Sequence, residues 1–359
     1  MLIRGLFAKK HQLLNGLSAL TRWHDWGPGK IPVFCTILAY IALANRDFSV
    51  GFALDFTLFI IFASIHSGLG YVVNDWGDRE IDRLQQKPNA FQNLNYFQGI
   101  GVLAILLVVA VLSALPFVRR PMVLPLWISW AFFTIAYSIR PLRLKERGVW
   151  GLGVSSVAQW TIPVLLTFAA MGRFGRWDMI LFAVANSISG ATLEIAHQRY
   201  DRARDLSTQT RTFGTRLSSA KLERLYSAAL FLDKMALGAV LLAISFGIAQ
   251  LSPAASWIGL GLPLLTIYLI LWLIAYFEII RSSIRGKLLD PYYSSKRSAN
   301  KLLHETMPNL VVPGYLLLLL TVFQPINGIL LLAFLYWRLT LGKAEWKWPL
   351  RVLHAWFSK

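Results

Sequence analysis

Long apolar runs separated by short polar, mostly basic segments recur along almost the whole chain. The runs fall at approximately residues 31–46, 54–74, 98–117, 121–138, 150–171, 177–197, 225–249 and 256–281. Most approach or exceed the ~20 residues that a helix needs to cross a bilayer core. In lipid every backbone N–H and C=O must be bonded within its own segment, so the runs predict helices. A further apolar stretch, 308–340, is too long for one ordinary span and is interrupted by the turn signal Gln324-Pro325-Ile326-Asn327-Gly328. It reads as one span or two short ones, nine or ten in all. The expected fold is all-α, a multi-spanning transmembrane helical bundle. No long polar linker divides the runs, so residues 1–359 are expected to form a single integral domain.

Charge adds a direction to this pattern. The chain carries 36 Lys plus Arg against 18 Asp plus Glu, a formal net charge of +18. Such a balance also suits a nucleic-acid protein. Here, however, the basic residues occupy loops between apolar spans, so a membrane surface and an anionic substrate are the expected partners, and nucleic acid is not. The loops after the second, fourth, sixth and eighth runs are rich in Lys and Arg, and the alternate loops are poor. The positive-inside rule then places the N-terminus and those loops on the cytoplasmic side, and the basic tail 342–359 favours ten spans. Residues 1–30 mix Lys9, Lys10 and Arg22 with Leu2, Phe7 and Leu13, a basic amphipathic segment suited to the membrane surface. No cleavable signal peptide is expected, and the sole cysteine, Cys35, allows no intrachain disulfide.

Against this basic background two acidic clusters stand out. Tyr71 to Asp82 reads Y-V-V-N-D-W-G-D-R-E-I-D and follows an apolar run. On a helix Asp75, Asp78 and Asp82 fall within about 60° of one another. Three carboxylates on one face repel each other and need a compensating cation. Oxygen-only ligands suit a hard ion such as Mg²⁺, which also takes substrate phosphates. A solvated acidic helix end is the alternative. A second apolar run leads into His197 to Asp205, where Asp201 and Asp205 stand four apart, interleaved with arginines. Two metal-binding faces flanked by basic residues are what a diphosphate substrate requires.

The chain at this point resembles the UbiA superfamily of intramembrane prenyltransferases. Asn74-Asp75-x-x-Asp78-x-x-x-Asp82 is similar to the family's first aspartate-rich motif, and Asp201-x-x-x-Asp205 to its second. Arg211-Thr212 stands where members often carry a basic residue before threonine, and Tyr137 to Lys145 is similar to a tyrosine-serine-proline stretch between the motifs. The chain departs from the pattern at Asn89-Ala90-Phe91, at Gln209 and at Arg140. The resemblance implies a UbiA-like bundle that binds Mg²⁺ and a prenyl diphosphate and transfers the prenyl group to a lipophilic, aromatic acceptor.

Within that expectation, Asn74, Asp75, Asp78, Asp82, Asp201 and Asp205 would hold the metal ions. Arg140, Arg143 and Lys145 would neutralise the diphosphate with Tyr137 as hydroxyl partner, although membrane anchoring also accounts for each cation alone. Lys87, Arg199 and Arg211 carry the same pair of readings. Glu194 and His197 share a helical face with Asp201, and an ionisable residue inside a span is a functional candidate, though a structural role also suits Glu194. His66 is expected to make a helix-packing hydrogen bond, and Asp55 to be an exposed interfacial charge. A membrane-embedded terpene cyclase would share the ionisation step. A cation-coupled transporter would place its carboxylates near the bilayer midplane in related halves, which this chain does not.

Overall fold

The computed structural model describes residues 16, 18–84, 86–251, 259–284, 290–293 and 298–340. The basic residues Lys9, Lys10, Arg285, Lys287, Lys296 and Arg297 and the tail 342–359 lie outside the described residues. Among those described, eight helices are long and apolar enough to cross a membrane. They are α1 (Trp23–Asn45), α2 (Val50–Leu84), α3 (Tyr96–Ala114), α5 (Val149–Ala170), α6 (Trp177–Ser207), α8 (Ser219–Ile248), α9 (Leu262–Ile284) and α10 (Ala299–Phe323). Two shorter apolar helices, α4 (Val123–Ser138) and α11 (Pro325–Thr340), complete the set, and α7 is a single turn, Phe213–Arg216. The stretch 308–340 divides into α10 and α11, broken where Gln324 turns extended before Pro325.

Apolarity on all sides buries a helix, whereas apolarity facing lipid leaves it at the edge. α1 is the buried case. Of its most apolar window 78% is buried, against 17% for α3 and α9. Ile37, Leu38, Tyr40 and Ile41 of α1 are fully enclosed, and its Phe34 ring meets Phe59 of α2 edge-on at 6.0 Å. Peripheral α3 instead exposes Ile105, Leu107, Val108 and Leu112. The described apolar helices therefore pack around α1.

The helices that carry the aspartates outrun the bilayer. α2 has 35 residues and α6 has 31, so at 1.5 Å per residue they reach about 52 and 46 Å, well beyond a ~30 Å core. Both surpluses lie at the C-terminal ends and carry the aspartates. The sequence boundaries at 74 and 197 fall short because the polar continuation remains helical. At the opposite end the bundle is closed by buried polar pairs: Tyr40 and Arg173 donate to Asp178 at 2.7 and 2.6 Å. Asp55 lies at that end as well. It is half-buried and ion-paired with Arg120, so it is not the free interfacial charge the sequence suggested. His66 packs as expected, its Nδ1 2.9 Å from the Phe62 carbonyl and its Nε2 accepting from Trp127.

Two helices depart from regular α geometry. A π segment, Val157–Thr161, interrupts α5, and a longer one, Leu302–Val311, interrupts α10. Such bulges often sit at functional sites. Gln159 and Trp160 from the first, and His304, Glu305 and Asn309 from the second, all line internal cavities.

Candidate active site

Asn74, Asp78 and Asp82 recur every fourth residue on the projecting end of α2, and all three line one chamber of about 750 Å³. Two cations from the loop after α4 enclose Asp78. Arg143 Nη2 lies 2.7 Å from Oδ1, and Lys145 Nζ lies 2.5 Å from Oδ2 and 2.9 Å from Asn74 Oδ1. The chain turns at Arg143, whose φ of 36° is left-handed, into the one-turn helix Leu144–Glu146. That turn brings both cations back onto α2. Arg143 is only 6% exposed, and it also donates to the Gly77 carbonyl at 2.9 Å and to Glu146. Gly77 is needed here, because a Cβ would stand 2.6 Å from the Ser138 carbonyl of α4. Asn89 closes the far side, donating to Asp82 Oδ2 and to the Asp75 carbonyl, both at 2.8 Å.

Asp201 and Asp205, on the projecting end of α6, line the same chamber. Their partners are local. Asp201 accepts from Arg204 one turn on and lies 3.3 Å from His197 Nε2, while Asp205 accepts from Thr212 at 3.3 Å. The loop that carries Thr212 is pinned where Gly214 N–H donates to Gln198 at 2.8 Å. Lys87 and Arg211 also line the chamber, so both acidic patches and four cations face one space. Burial lowers the Lys145 pKa below the ordinary lysine value, even though Asp78 pulls the other way. Among the described residues no three His, Cys, Asp or Glu side chains converge as a self-sufficient metal cage. The donors are nonetheless all oxygen, and an ion that keeps waters and shares substrate phosphates suits such an incomplete set.

Three residues expected at the site lie elsewhere. Asp75 is absent from the chamber wall; it is 2% exposed, 3.2 Å from Arg22 Nη1, and accepts from the Ala90 N–H at 3.4 Å. Arg199 points to the outer side of α6, where it binds Glu223 and Asp290 at 2.6 Å and covers the Tyr226 ring. Periodicity accounts for it, since two residues before Asp201 is about 200° around the helix. Arg140 is exposed and lines no described cavity.

Beneath the chamber lies a second cavity of about 640 Å³, which shares Asn74, Tyr137, Glu194, His197 and Asp201 with it. Tyr71, Trp130 and Trp160 contribute its aromatic faces. Glu194 accepts from Ser155 at 3.0 Å and from Gln198 at 2.8 Å. His197 Nδ1 lies 3.2 Å from the Tyr293 hydroxyl. Burial pushes that hydroxyl up to about 12, which keeps it protonated as a donor. Sequence reasoning missed Tyr293, Gln159, Asn89 and Lys30, and it read Arg22 only as a surface charge. All five reach the site from other parts of the chain, and no local motif marks them.

The fold is that of known structures. A UbiA homolog from Archaeoglobus fulgidus bound to GPP and Mg²⁺ aligns with a TM-score of 0.54 at 14% identity, over 85% of this chain and 99% of that one. The same homolog bound to DMAPP and Mg²⁺ aligns with a TM-score of 0.50 at 14% identity over the same shares. A structure of a digeranylgeranylglyceryl phosphate synthase gives a TM-score of 0.47 at 17% identity, over 89% of this chain and 96% of that one. No curated protein matches the sequence. The model of the UbiA prenyltransferase family matches residues 33–285, more than half the chain and both aspartate clusters. The chain therefore belongs to the UbiA prenyltransferase family.

Proposed function

We propose that the protein transfers a prenyl group from a prenyl diphosphate to a lipophilic acceptor within the membrane, in a Mg²⁺-dependent reaction. The observation that carries this reading is the common chamber. Carboxylates from α2 and α6 face one space, with Lys87, Arg143, Lys145 and Arg211 in its walls and an aromatic cavity below. An amphiphile with an anionic head and an isoprenoid tail matches that order. The surplus of Lys and Arg in the loops at this end supports a cytoplasmic mouth.

Asn74, Asp78, Asp82, Asp201 and Asp205 are the residues that would hold the ion, which when bound neutralises the charge growing on the departing diphosphate. Asp75 instead ties the end of α2 to Arg22 and to the loop at Ala90. Lys145 and Arg143 contact Asp78 now and are placed to donate to phosphate oxygens as well. Ionisation leaves an allylic cation below the chamber. Tyr71, Tyr137, Trp130 and Trp160 line that cavity, and aromatic faces stabilise a cation there. Glu194, which accepts hydrogen bonds from Ser155 and Gln198, is the residue assigned to take the proton released after carbon–carbon bond formation.

A third cavity of about 420 Å³ adjoins the second and shares Lys30, Tyr71 and Trp160 with it. Space for a second substrate favours transfer over cyclisation of the prenyl chain alone. The test is to incubate the purified protein in lipid with prenyl diphosphates of graded length, with and without Mg²⁺, and to follow diphosphate release. Transfer requires release that depends on both Mg²⁺ and an added acceptor. A cyclic hydrocarbon formed without acceptor would establish the cyclase instead, and no release at any length would remove the enzymatic reading.

A further inference from the structure

Arg199, turned away from the chamber, ends on Asp290 in the stretch between α9 and α10. Asp290 organises the turn 290–293. Its Oδ1 accepts from the backbone N–H groups of Tyr292 and Tyr293 at 2.9 and 3.2 Å, and from the buried Tyr226 hydroxyl of α8 at 3.0 Å. An aspartate that gathers backbone N–H groups two and three residues on shapes a tight turn. Its Oδ2 lies 2.6 Å from Arg199 Nη1, and Arg199 Nε lies 2.6 Å from Glu223 of α8. The turn is thereby tied to α6 and α8 together.

From this anchor one side chain reaches the second aspartate patch. The Tyr293 ring stacks on Tyr200 of α6, with centroids 4.3 Å apart and planes 9° apart. Stacking fixes the plane of the phenol. Its hydroxyl lies 3.2 Å from His197 Nδ1, and His197 Nε2 lies 3.3 Å from Asp201 Oδ2. A phenol that donates to Nδ1 leaves the hydrogen of a neutral imidazole on Nε2, where it donates to Asp201. Arg204 takes the other carboxylate oxygen, Oδ1.

We propose that Tyr293 is a positioning residue for the second aspartate patch: acting through His197, it orders Asp201 from outside α6, and the Arg199–Asp290 pair holds the turn that presents it. Outer partners of this kind orient a carboxylate and tune what it holds. Asp201 Oδ2 is committed to His197, whereas Oδ1, whose partner Arg204 is half-exposed and local, is the oxygen open to exchange. Arg199 thus serves the site without touching it. A staple that served packing alone would need neither the Tyr293 hydroxyl nor its approach to Nδ1. That Asp201 holds an ion rests on the prenyl-transfer reading; the hydrogen-bond chain from Tyr293 to Asp201 does not.

The experiment uses the full chain in lipid nanodiscs with ¹⁵N-labelled histidine, the His197 signals being assigned with His197→Gln. Above the ordinary imidazole range, ¹⁵N shifts report which ring nitrogen carries hydrogen and whether the other accepts a hydrogen bond, with no ion or substrate present. On the same samples Mn²⁺, standing in for Mg²⁺, is titrated by EPR with geranyl diphosphate, and unfolding midpoints are recorded. The wild type is expected to show hydrogen on Nε2 and an accepting Nδ1. Tyr293→Phe keeps the ring but removes the hydroxyl. It is expected to lose the accepting signature, to gain some of the Nδ1–H form and to weaken Mn²⁺ binding about tenfold, with the midpoint unchanged. Asp290→Ala is expected to do the same with a lowered midpoint. His197→Gln places a fixed N–H donor where Nε2–H stood, so on that background Tyr293→Phe is expected to cost no further affinity. An unchanged His197 signature in Tyr293→Phe would overturn the proposal. So would Mn²⁺ affinity unchanged by Tyr293→Phe where the wild type binds, or an equal further loss on the His197→Gln background. An Asp290→Ala variant that lowers only the midpoint would reduce the turn to a packing staple and overturn it too. A wild type that binds no Mn²⁺ with geranyl diphosphate, while Tyr293→Phe still alters His197, upholds the chain to Asp201 and refutes the prenyl-transfer reading.

Discussion

The acidic patches of α2 and α6 are both built on aspartates at helical spacing, and their construction is opposite. Asp78 is held by two cations from another helix connection, 65 and 67 residues away in sequence, one of them the almost fully buried guanidinium of Arg143. Asp201 is held by residues one turn away on its own helix, His197 and Arg204, of which Arg204 has a half-exposed side chain. The first patch is thus part of the packing between α2 and the α4 loop and is fixed before substrate arrives. The second rests on exposed partners of its own helix, so its carboxylates can change partners at lower cost. Under the proposed prenyl transfer, one rigid wall and one adaptable wall would suit the gripping of a diphosphate.

The largest expected contrast comes from neutralising one carboxylate on each side. Asp78→Asn leaves Arg143 buried beside a lost anion, so we expect a loss of about 3–5 kcal/mol in stability together with diphosphate release. Asp201→Asn is expected to lose a comparable ~10²–10³ in rate but less than ~1 kcal/mol in stability, because its partners are solvated. Thermal unfolding and turnover in one lipid preparation measure both. Equal stability losses would erase the distinction between rigid and adaptable walls.

A smaller effect tests the packing itself. Gly77→Ala places a methyl against the Ser138 carbonyl and is expected to cost about 1–3 kcal/mol and to loosen Arg143. Gly214→Ala, beneath the second patch, would meet Gln198 Cβ at 3.1 Å, a side chain that can yield, and should cost less. Chemical denaturation of the two variants ranks them.

The next contrast is in pH. Because the folded pKa of Lys145 lies below its unfolded value, the unfolded chain binds more protons between the two. The Lys145 contribution to stability therefore rises as pH increases through that window, while activity falls as the ammonium is lost from the phosphate site. An alkaline limb that begins below the ordinary lysine range and moves up in Lys145→Arg would support this, and a limb unchanged in that variant would not. The smallest expected effect is at Asn89→Ala, which removes the hydrogen bonds to Asp82 and to the Asp75 carbonyl and should cost about 1–2 kcal/mol, seen as a modest shift in unfolding midpoint.

The sequence carried the spans well because each is a long apolar run, and it carried the turn at Gln324–Gly328 through its proline and glycine. It understated α2 and α6, since hydropathy ends where charge begins but helical hydrogen bonding does not. Residues on one helix were only partly legible by angle: Asp78 and Asp82 share a wall, whereas Asp75, placed on the same face by the same arithmetic, is held off it by Arg22 and the Ala90 N–H. The same arithmetic would have turned Arg199 away. The structure separates the similar cations Arg140 and Arg143 through a left-handed turn that composition does not encode. Arg22 and Lys30 were not legible as site residues, because what gives each its role is a contact made 41 or more residues away, to Asp75, Tyr71 or Trp160.

A double-mutant cycle on Mg²⁺-dependent diphosphate release tests most directly whether opposing walls grip one substrate. With Asp78→Asn, Asp201→Asn and the double variant assayed side by side, cooperation predicts that the pair loses about as much as either alone. Independent, additive losses, or normal turnover in either single variant, would contradict it.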